Sequence, residues 1–189
     1  IIFLVTTLLI FVNSRYDPGI EDSRKPEFYM LIVIIVVGLF AMSTSVNLVM
    51  IYLAIELVSI PSYLITGFVS GSGERESNEA SLKYVLYGAF ASALMVFGMT
   101  WLYGLTGSLY LYDIGQLLWG VESNITLVIS MLLIMVGFGY KISIVPFHYW
   151  APDVYQGAPL SVTAFLSVAP KVAGITLIVR FFYTTLTSS

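Results

Sequence analysis

The chain has 189 residues, 58% hydrophobic and 10% charged, with a mean hydropathy of +0.92 and a formal net charge of −3. Charges this sparse, against about 25% in an average soluble domain, exclude an ordinary water-soluble fold and point to a protein of the lipid bilayer. The absence of cysteine excludes disulfides, thiolate-ligated iron–sulfur clusters and thiolate catalysis within the chain, the single histidine excludes a bis-histidine haem, and the lack of a basic face excludes a nucleic-acid partner.

The chain opens inside an apolar run, Ile1 to Val12, with no basic region before it and no small-residue cleavage site. It is read as a truncated span rather than a signal peptide. Asn13 to Glu27 is a polar loop carrying both signs of charge. A helix is predicted from about Phe28 to Ala41, then a Ser43-Thr44-Ser45 corner, then a helix from about Asn47 to Phe68 with Glu56 near its middle. Phe28 to Ile55 has no charge at all, and about 20 such residues cross a hydrocarbon core. Pro61 is expected to bend the Glu56 helix. Ser70 to Asn78 is a loop in which Ser77 or Asn78 caps the next helix and Glu79 favours its positive end. That helix reaches about Tyr103 and carries Lys83; Tyr84 to Tyr112 is again free of charge.

Leu105 to Asn124 is read as a loop with a short interfacial turn, because Trp101, Tyr110, Tyr112 and Trp119 suit the membrane–water boundary. The triplet Asn124-Ile125-Thr126 matches a glycosylation acceptor only by chance. A further helix is predicted from Ile125 to Lys141. Pro146 lacks an N–H and clashes with the carbonyl of Ile142, so a helix break is expected over residues 142–157. Ala158 to Ala169 reads as a half-helix ended by Pro170, and Lys171 as the opening of a last helix to about Thr184. Loops 13–27 and 69–79 lie on one side and hold Arg15, Arg24, Lys25 and Arg75, whereas the opposite loops hold no Lys or Arg. The charged side is predicted to be cytoplasmic.

Glu56, Lys83, Lys141 and Lys171 lie within or near apolar spans, where each charge costs about 2.5–3.5 kcal/mol at a helix centre. They require partners or water, and pairing Glu56 with a lysine is the simplest compensation. Carboxylates and amines also gain and lose protons, unlike arginine, so a row of them joined through water is a proton path. The alternatives stay open singly: Lys83, about 6 Å of helix rise from its cap, can snorkel to the interface, Lys171 after Pro170 can lie at the interface, and His148 can relay protons or hold a loop carbonyl. Asp153, Tyr155 and Gln156 are read as loop-fixing residues. Gly137-Phe-Gly139 lacks the further glycine and the preceding strand of a dinucleotide loop and is read as helix packing.

At these residues the chain resembles the antiporter-like membrane subunits of respiratory complex I, the N subunit of the NADH:quinone oxidoreductase in particular. The segment from Lys141 to Pro159, KISIVPFHYWAPDVYQGAP, resembles the family's stretch around its broken seventh helix. Ile55-Glu56-Leu57 resembles the fifth-helix glutamate segment and Glu79-Ala-Ser-Leu-Lys83-Tyr84 the sixth-helix lysine segment. Lys171 falls where the family carries its eighth-helix lysine, while Leu160 and Pro170 depart from the pattern. The resemblance implies an all-α polytopic membrane protein, one half of an inverted-repeat antiporter-like fold with a discontinuous helix, running from part of the third helix through the eighth. The second repeat would then lie outside this partial chain.

It further implies proton translocation by a non-redox subunit of a proton-translocating NADH:quinone oxidoreductase, with Glu56 and Lys83 as a coupling pair and Lys141, His148 and Lys171 as the relay. No cofactor is expected in this chain; NAD, FMN, iron–sulfur clusters and quinone belong to partner subunits. The implied partners are other membrane subunits of complex I, including other antiporter-like ones, in a bacterial plasma membrane or an equivalent energy-coupling membrane. The competing readings are a subunit of a Mrp-type sodium/proton antiporter and a structural spacer whose buried charges only hold helices together.

Overall fold

Backbone groups in lipid must find partners within the protein, which a helix supplies within one segment. The computed structural model describes residues 1–69, 71–118 and 125–186, and its regular elements are helices: α1 (Ile2–Ser14), α2 (Lys25–Thr44), α3 (Leu48–Thr66), α4 (Glu74–Thr106), α5 (Leu111–Leu118), α6 (Ile125–Ile142), α7 (Trp150–Gly157) and α8 (Leu160–Leu186). Five of them, α2, α3, α4, α6 and α8, are long and apolar enough to cross a membrane. Trp119 and Asn124 lie outside the described residues.

The helix ends follow local chemistry. Asn47 caps α3, its Oδ1 accepting from the amides of Val49 at 3.0 Å and Met50 at 3.4 Å. Gly107, with φ +69°, ends α4 in the left-handed conformation that costs glycine least. The α2–α3 corner is tied to the segment before α5 by Leu48 N–H to the Leu109 carbonyl and Leu111 N–H to the Val46 carbonyl, both 2.9 Å. At the other end, Ile20 and Val69 form a single antiparallel bridge between the two charged loops. Small residues bring α4 and α6 together: a Cβ on Gly98 would lie 2.7 Å from the Ser130 carbonyl oxygen.

Three sequence expectations are corrected. Ser77 and Asn78 do not cap α4, which begins at Glu74; Ser77 sits within the helix, buried, and its hydroxyl donates to the Thr66 carbonyl at 2.8 Å. The glutamate-rich start of α4 has the polarity of a loop, yet it is helix from Glu74 and is tied to the end of α3 through Ser77 and Ser81. Residues 158–169 are not a separate half-helix: α8 runs through Pro170. The proline removes one bond to the carbonyl four residues back, and the apolar chain on both sides favours helix in lipid, where such interruptions are tolerated. Within residues 142–157 the chain is irregular only from Ser143 to Tyr149; the eight residues after it form α7. Pro61 lies inside α3, which continues to Thr66.

The start of α8 is held from a distance. Asp17, on the loop after α1, accepts from the Ser161 amide at 2.8 Å and the Gly19 amide at 2.9 Å and is buried. A carboxylate at the first turn satisfies orphan donors and complements the helix dipole. Asp17→Ala is expected to destabilise the protein by about 1–2 kcal/mol, measured as a lowered unfolding midpoint in detergent titrated with denaturant, with Asp17→Asn losing less.

Candidate functional site

Three polar residues of α3, Glu56, Ser59 and Tyr63, are spaced at i, i+3 and i+7 and therefore share one helix face. That face is turned toward α4 and α6. Lys141, in the last turn of α6, is only 3% exposed and donates from Nζ to the Ser59 hydroxyl at 2.8 Å. Ser59 in turn donates to the Ile55 carbonyl at 2.7 Å. Glu56 accepts a short hydrogen bond from the Ser92 hydroxyl of α4, and its charge acts on Lys141 without touching it. Among the described residues Lys141 has no ion pair.

An aromatic cluster closes this site on the side of the charged loops. Tyr63 packs edge-on against Tyr84 at 4.7 Å, and the Tyr140 hydroxyl donates to the Tyr84 carbonyl at 3.0 Å. Tyr84 stacks on Trp150 of α7 at 4.4 Å, and the Trp150 indole N–H donates to the Tyr140 carbonyl at 3.0 Å. The irregular segment after Ile142 is thereby anchored to α6 and α4 by α7. Buried polar groups with partners like these specify a single arrangement of the helices that carry them.

Among the described residues Glu56 and Lys83 form no ion pair. Lys83 lines a cleft of about 200 Å³, and its Nζ pairs with Glu79 at 2.9 Å and Asp153 at 2.7 Å. Its side chain is 39% exposed. Glu79 is one turn back on the same helix, the spacing at which opposite charges meet. Asp153 comes from α7, so its loop-fixing character takes the form of a clamp between α7 and α4. Lys171 is half-buried on α8 with its Nζ 5.4 Å from the centre of the Tyr155 ring, a cation–π arrangement. His148, in the irregular segment, stacks on Tyr149 at 4.7 Å, and its buried Nδ1 has no hydrogen-bond partner among the described residues. Glu56 and Lys141 thus share one site, while Lys83, His148 and Lys171 each face other partners. Among the described residues no hydrogen bond or ion pair joins any two of the five.

Sequence reasoning missed Ser59, Tyr63, Ser92 and Tyr140. The first two were readable from their spacing after Glu56. Ser92 and Tyr140 carry no local mark, because a neutral hydroxyl in an apolar span has many ordinary uses.

The family model described as NADH:quinone oxidoreductase/Mrp antiporter, transmembrane, matches residues 45–189 and so takes in all five of these residues. The chain belongs to this family. It is 45% identical over 184 residues to the NADH-quinone oxidoreductase subunit N 2 of Chloroherpeton thalassium, covering 96% of this chain and 35% of that protein. Among solved structures it is similar to a chain of respiratory complex I from Thermus thermophilus with bound aureothin, at a TM-score of 0.79 and 30% identity, over 95% of this chain and 38% of that one. A chain of the Mrp complex from Dietzia sp. shares the fold, with a TM-score of 0.72 at 20% identity over 83% of this chain. The chain therefore spans about a third of the length of the curated relatives it matches. Its fold is one half of the family's antiporter-like architecture, an all-α membrane domain with a discontinuous helix. The chain has no cysteine, so it offers no thiolate ligand for an iron–sulfur cluster. The residues present do not fit such a group.

Proposed function

We propose that the full-length protein translocates protons across a bacterial plasma membrane as a non-redox subunit of an NADH:quinone oxidoreductase, and that this segment forms one of its half-channels. The observation that supports this most is Lys141, an amine buried at the end of a spanning helix and hydrogen-bonded to a neutral hydroxyl rather than to a carboxylate. Such an amine donates while it holds a proton and accepts one when it does not. In this reading Lys141 is the central carrier and Glu56, on the same buried face, sets the field it experiences. His148 and Lys171 pass the proton onward, and Lys83 meets the charged-loop side, which faces the cytoplasm. The steps between them run through water, beside irregular backbone of the kind that lines wet cavities at membrane depth. NAD, FMN, iron–sulfur clusters and quinone act in partner subunits, and other antiporter-like membrane subunits lie alongside.

Glu56→Gln keeps an acceptor for Ser92 and removes the charge. Inverted membrane vesicles carrying the full-length protein with this substitution in its complex, driven by NADH, are expected to take up protons about tenfold more slowly or worse. Wild-type uptake would overturn the reading. Uptake that requires sodium and proceeds without NADH oxidation would instead assign the protein to the antiporter side of its family.

A further inference from the structure

The short helix α7 touches two lysines, one on each side. Trp150, Asp153 and Gly157 are spaced at i, i+3 and i+7 and share the face turned to α4. There Trp150 stacks on Tyr84 at 4.4 Å, Asp153 pairs with Lys83 at 2.7 Å, and a Cβ on Gly157 would lie 2.5 Å from that of Ala80, so the two helices pack closely. Tyr155, two positions after Asp153, falls about 200° around the helix, on the side of α8. Its ring meets Trp150 edge-on, with centroids 6.0 Å apart, and its carbonyl accepts from the Thr163 hydroxyl of α8 at 3.1 Å.

Lys171 is ordered by that ring. It forms no ion pair among the described residues, and its Nζ stands 5.4 Å from the centre of the Tyr155 ring. A ring face within about 6 Å attracts an ammonium, more strongly where water is scarce. Lys171 also lies one turn before Gly174, where a Cβ would run into the Ile142 side chain and lie 3.9 Å from Lys141 Cγ. The ring therefore holds an amine on the α8 face that packs beside Lys141. The Tyr155 hydroxyl is buried with no hydrogen-bond partner among the described residues, so the ring is the part of this side chain that engages a neighbour.

A helix of two turns moves as one piece. Its α4 face is fastened by an ion pair whose side chains are 39% and 47% exposed, a contact weak enough for a change of nearby charge to loosen. Lys83 and Lys171 do not meet, yet a shift of Asp153 carries Tyr155 with it.

We propose that Tyr155 is a positioning residue for proton transfer at Lys171, holding the ammonium over its ring, and that the Asp153–Lys83 pair sets where the ring stands. No bond to Tyr155 is made or broken. A change of charge at Lys83 reaches Lys171 through α7. The inference rests on the reading of Lys171 as a proton carrier.

The test uses the full-length protein in its assembled complex in inverted vesicles, reading the rate of NADH-driven proton uptake per assembled complex. Tyr155→Leu, which removes the ring, is expected to slow uptake about fivefold, the effect of one partly desolvated cation–π contact. Tyr155→Phe is expected to restore the rate, because it keeps the ring and loses only an unpartnered hydroxyl. Asp153→Ala is expected to slow uptake by a similar factor, and Asp153→Ala with Tyr155→Leu to be no slower than Tyr155→Leu alone. Should a variant reduce the amount of complex, the rate is still read on what assembles. Wild-type uptake by Tyr155→Leu, or Tyr155→Phe as slow as Tyr155→Leu, would overturn the role of the ring. Losses that multiply in the double variant would overturn the link through α7. Lys171→Met separates the two levels: if it takes up protons normally, the carrier reading of Lys171 fails, whereas if it is inactive while Tyr155→Leu is normal, only the positioning role does.

Discussion

Lys141→Ala is expected to abolish proton pumping by the full-length protein in its complex while leaving the complex assembled. A lysine 3% exposed, with a serine hydroxyl as its hydrogen-bond partner, is not holding the fold together. A buried charge without an ion pair carries a desolvation cost of several kcal/mol, and a lone neutral hydroxyl offsets little of that. Removing the amine therefore relieves a burden, although the space left by its stem offsets part of the gain. Lys141→Met fills that space and is expected to match or exceed the wild-type protein in stability, as replacements of buried charges by apolar residues of similar volume often do. Pumping moves the other way. A positioned proton-transfer group is worth about 100-fold or more in rate, and both substitutions lose it. Lys141→Arg is the sharper comparison. It keeps the positive charge and hydrogen-bonding capacity, but a guanidinium does not give up its proton, so pumping is expected to stay lost. Proton uptake per NADH oxidised, measured beside the yield of assembled complex, reads the two effects apart. Recovery of pumping in Lys141→Arg would show that a fixed charge suffices and that Lys141 carries no proton.

The elements legible in the sequence were those that depend on composition along a single stretch. Charge-free runs marked the spanning helices, and Pro146 marked the end of α6, which stops four residues before it at Ile142. What escaped depends on neighbours distant in sequence. The residues of α7, WAPDVYQG, contain proline and glycine and show no long apolar period; their helix is held by Trp150 stacking on Tyr84 and by Asp153 reaching Lys83. Propensity alone makes Pro170 a terminator, yet in lipid the alternative to a helix that lacks one hydrogen bond is a break with several unsatisfied groups. The partners of Lys83 escaped for a related reason. Its sign alone does not say which way its helix face turns, and seventy positions separate it from the aspartate that holds it.

Exchanging the two charges, Glu56→Lys together with Lys83→Glu, is expected to damage the protein more than either change alone. Had the pair been in contact, the exchange would preserve it and rescue both single variants. In this structure it creates two repulsions. Glu at 83 would face Glu79 and Asp153, whose oxygens lie 2.9 and 2.7 Å from the present Lys83 nitrogen, and would release α7 from α4. That cleft is wet, so solvent screens part of the effect. Lysine at 56 is the graver change, because it sets a second ammonium on the buried face that already acts on Lys141, where the local dielectric leaves like charges poorly screened. A repulsion of only ~1.4 kcal/mol lowers the folded-to-unfolded ratio about tenfold, and a loss of this size is expected to cut the yield of assembled complex several-fold. Because the sites have separate partners, the two single losses should combine without coupling. Yield of the complex from each of the three variants decides the matter. A double variant that recovers above the weaker single one would mean that Glu56 and Lys83 meet directly, and that the clamp to Asp153 is not the state that works.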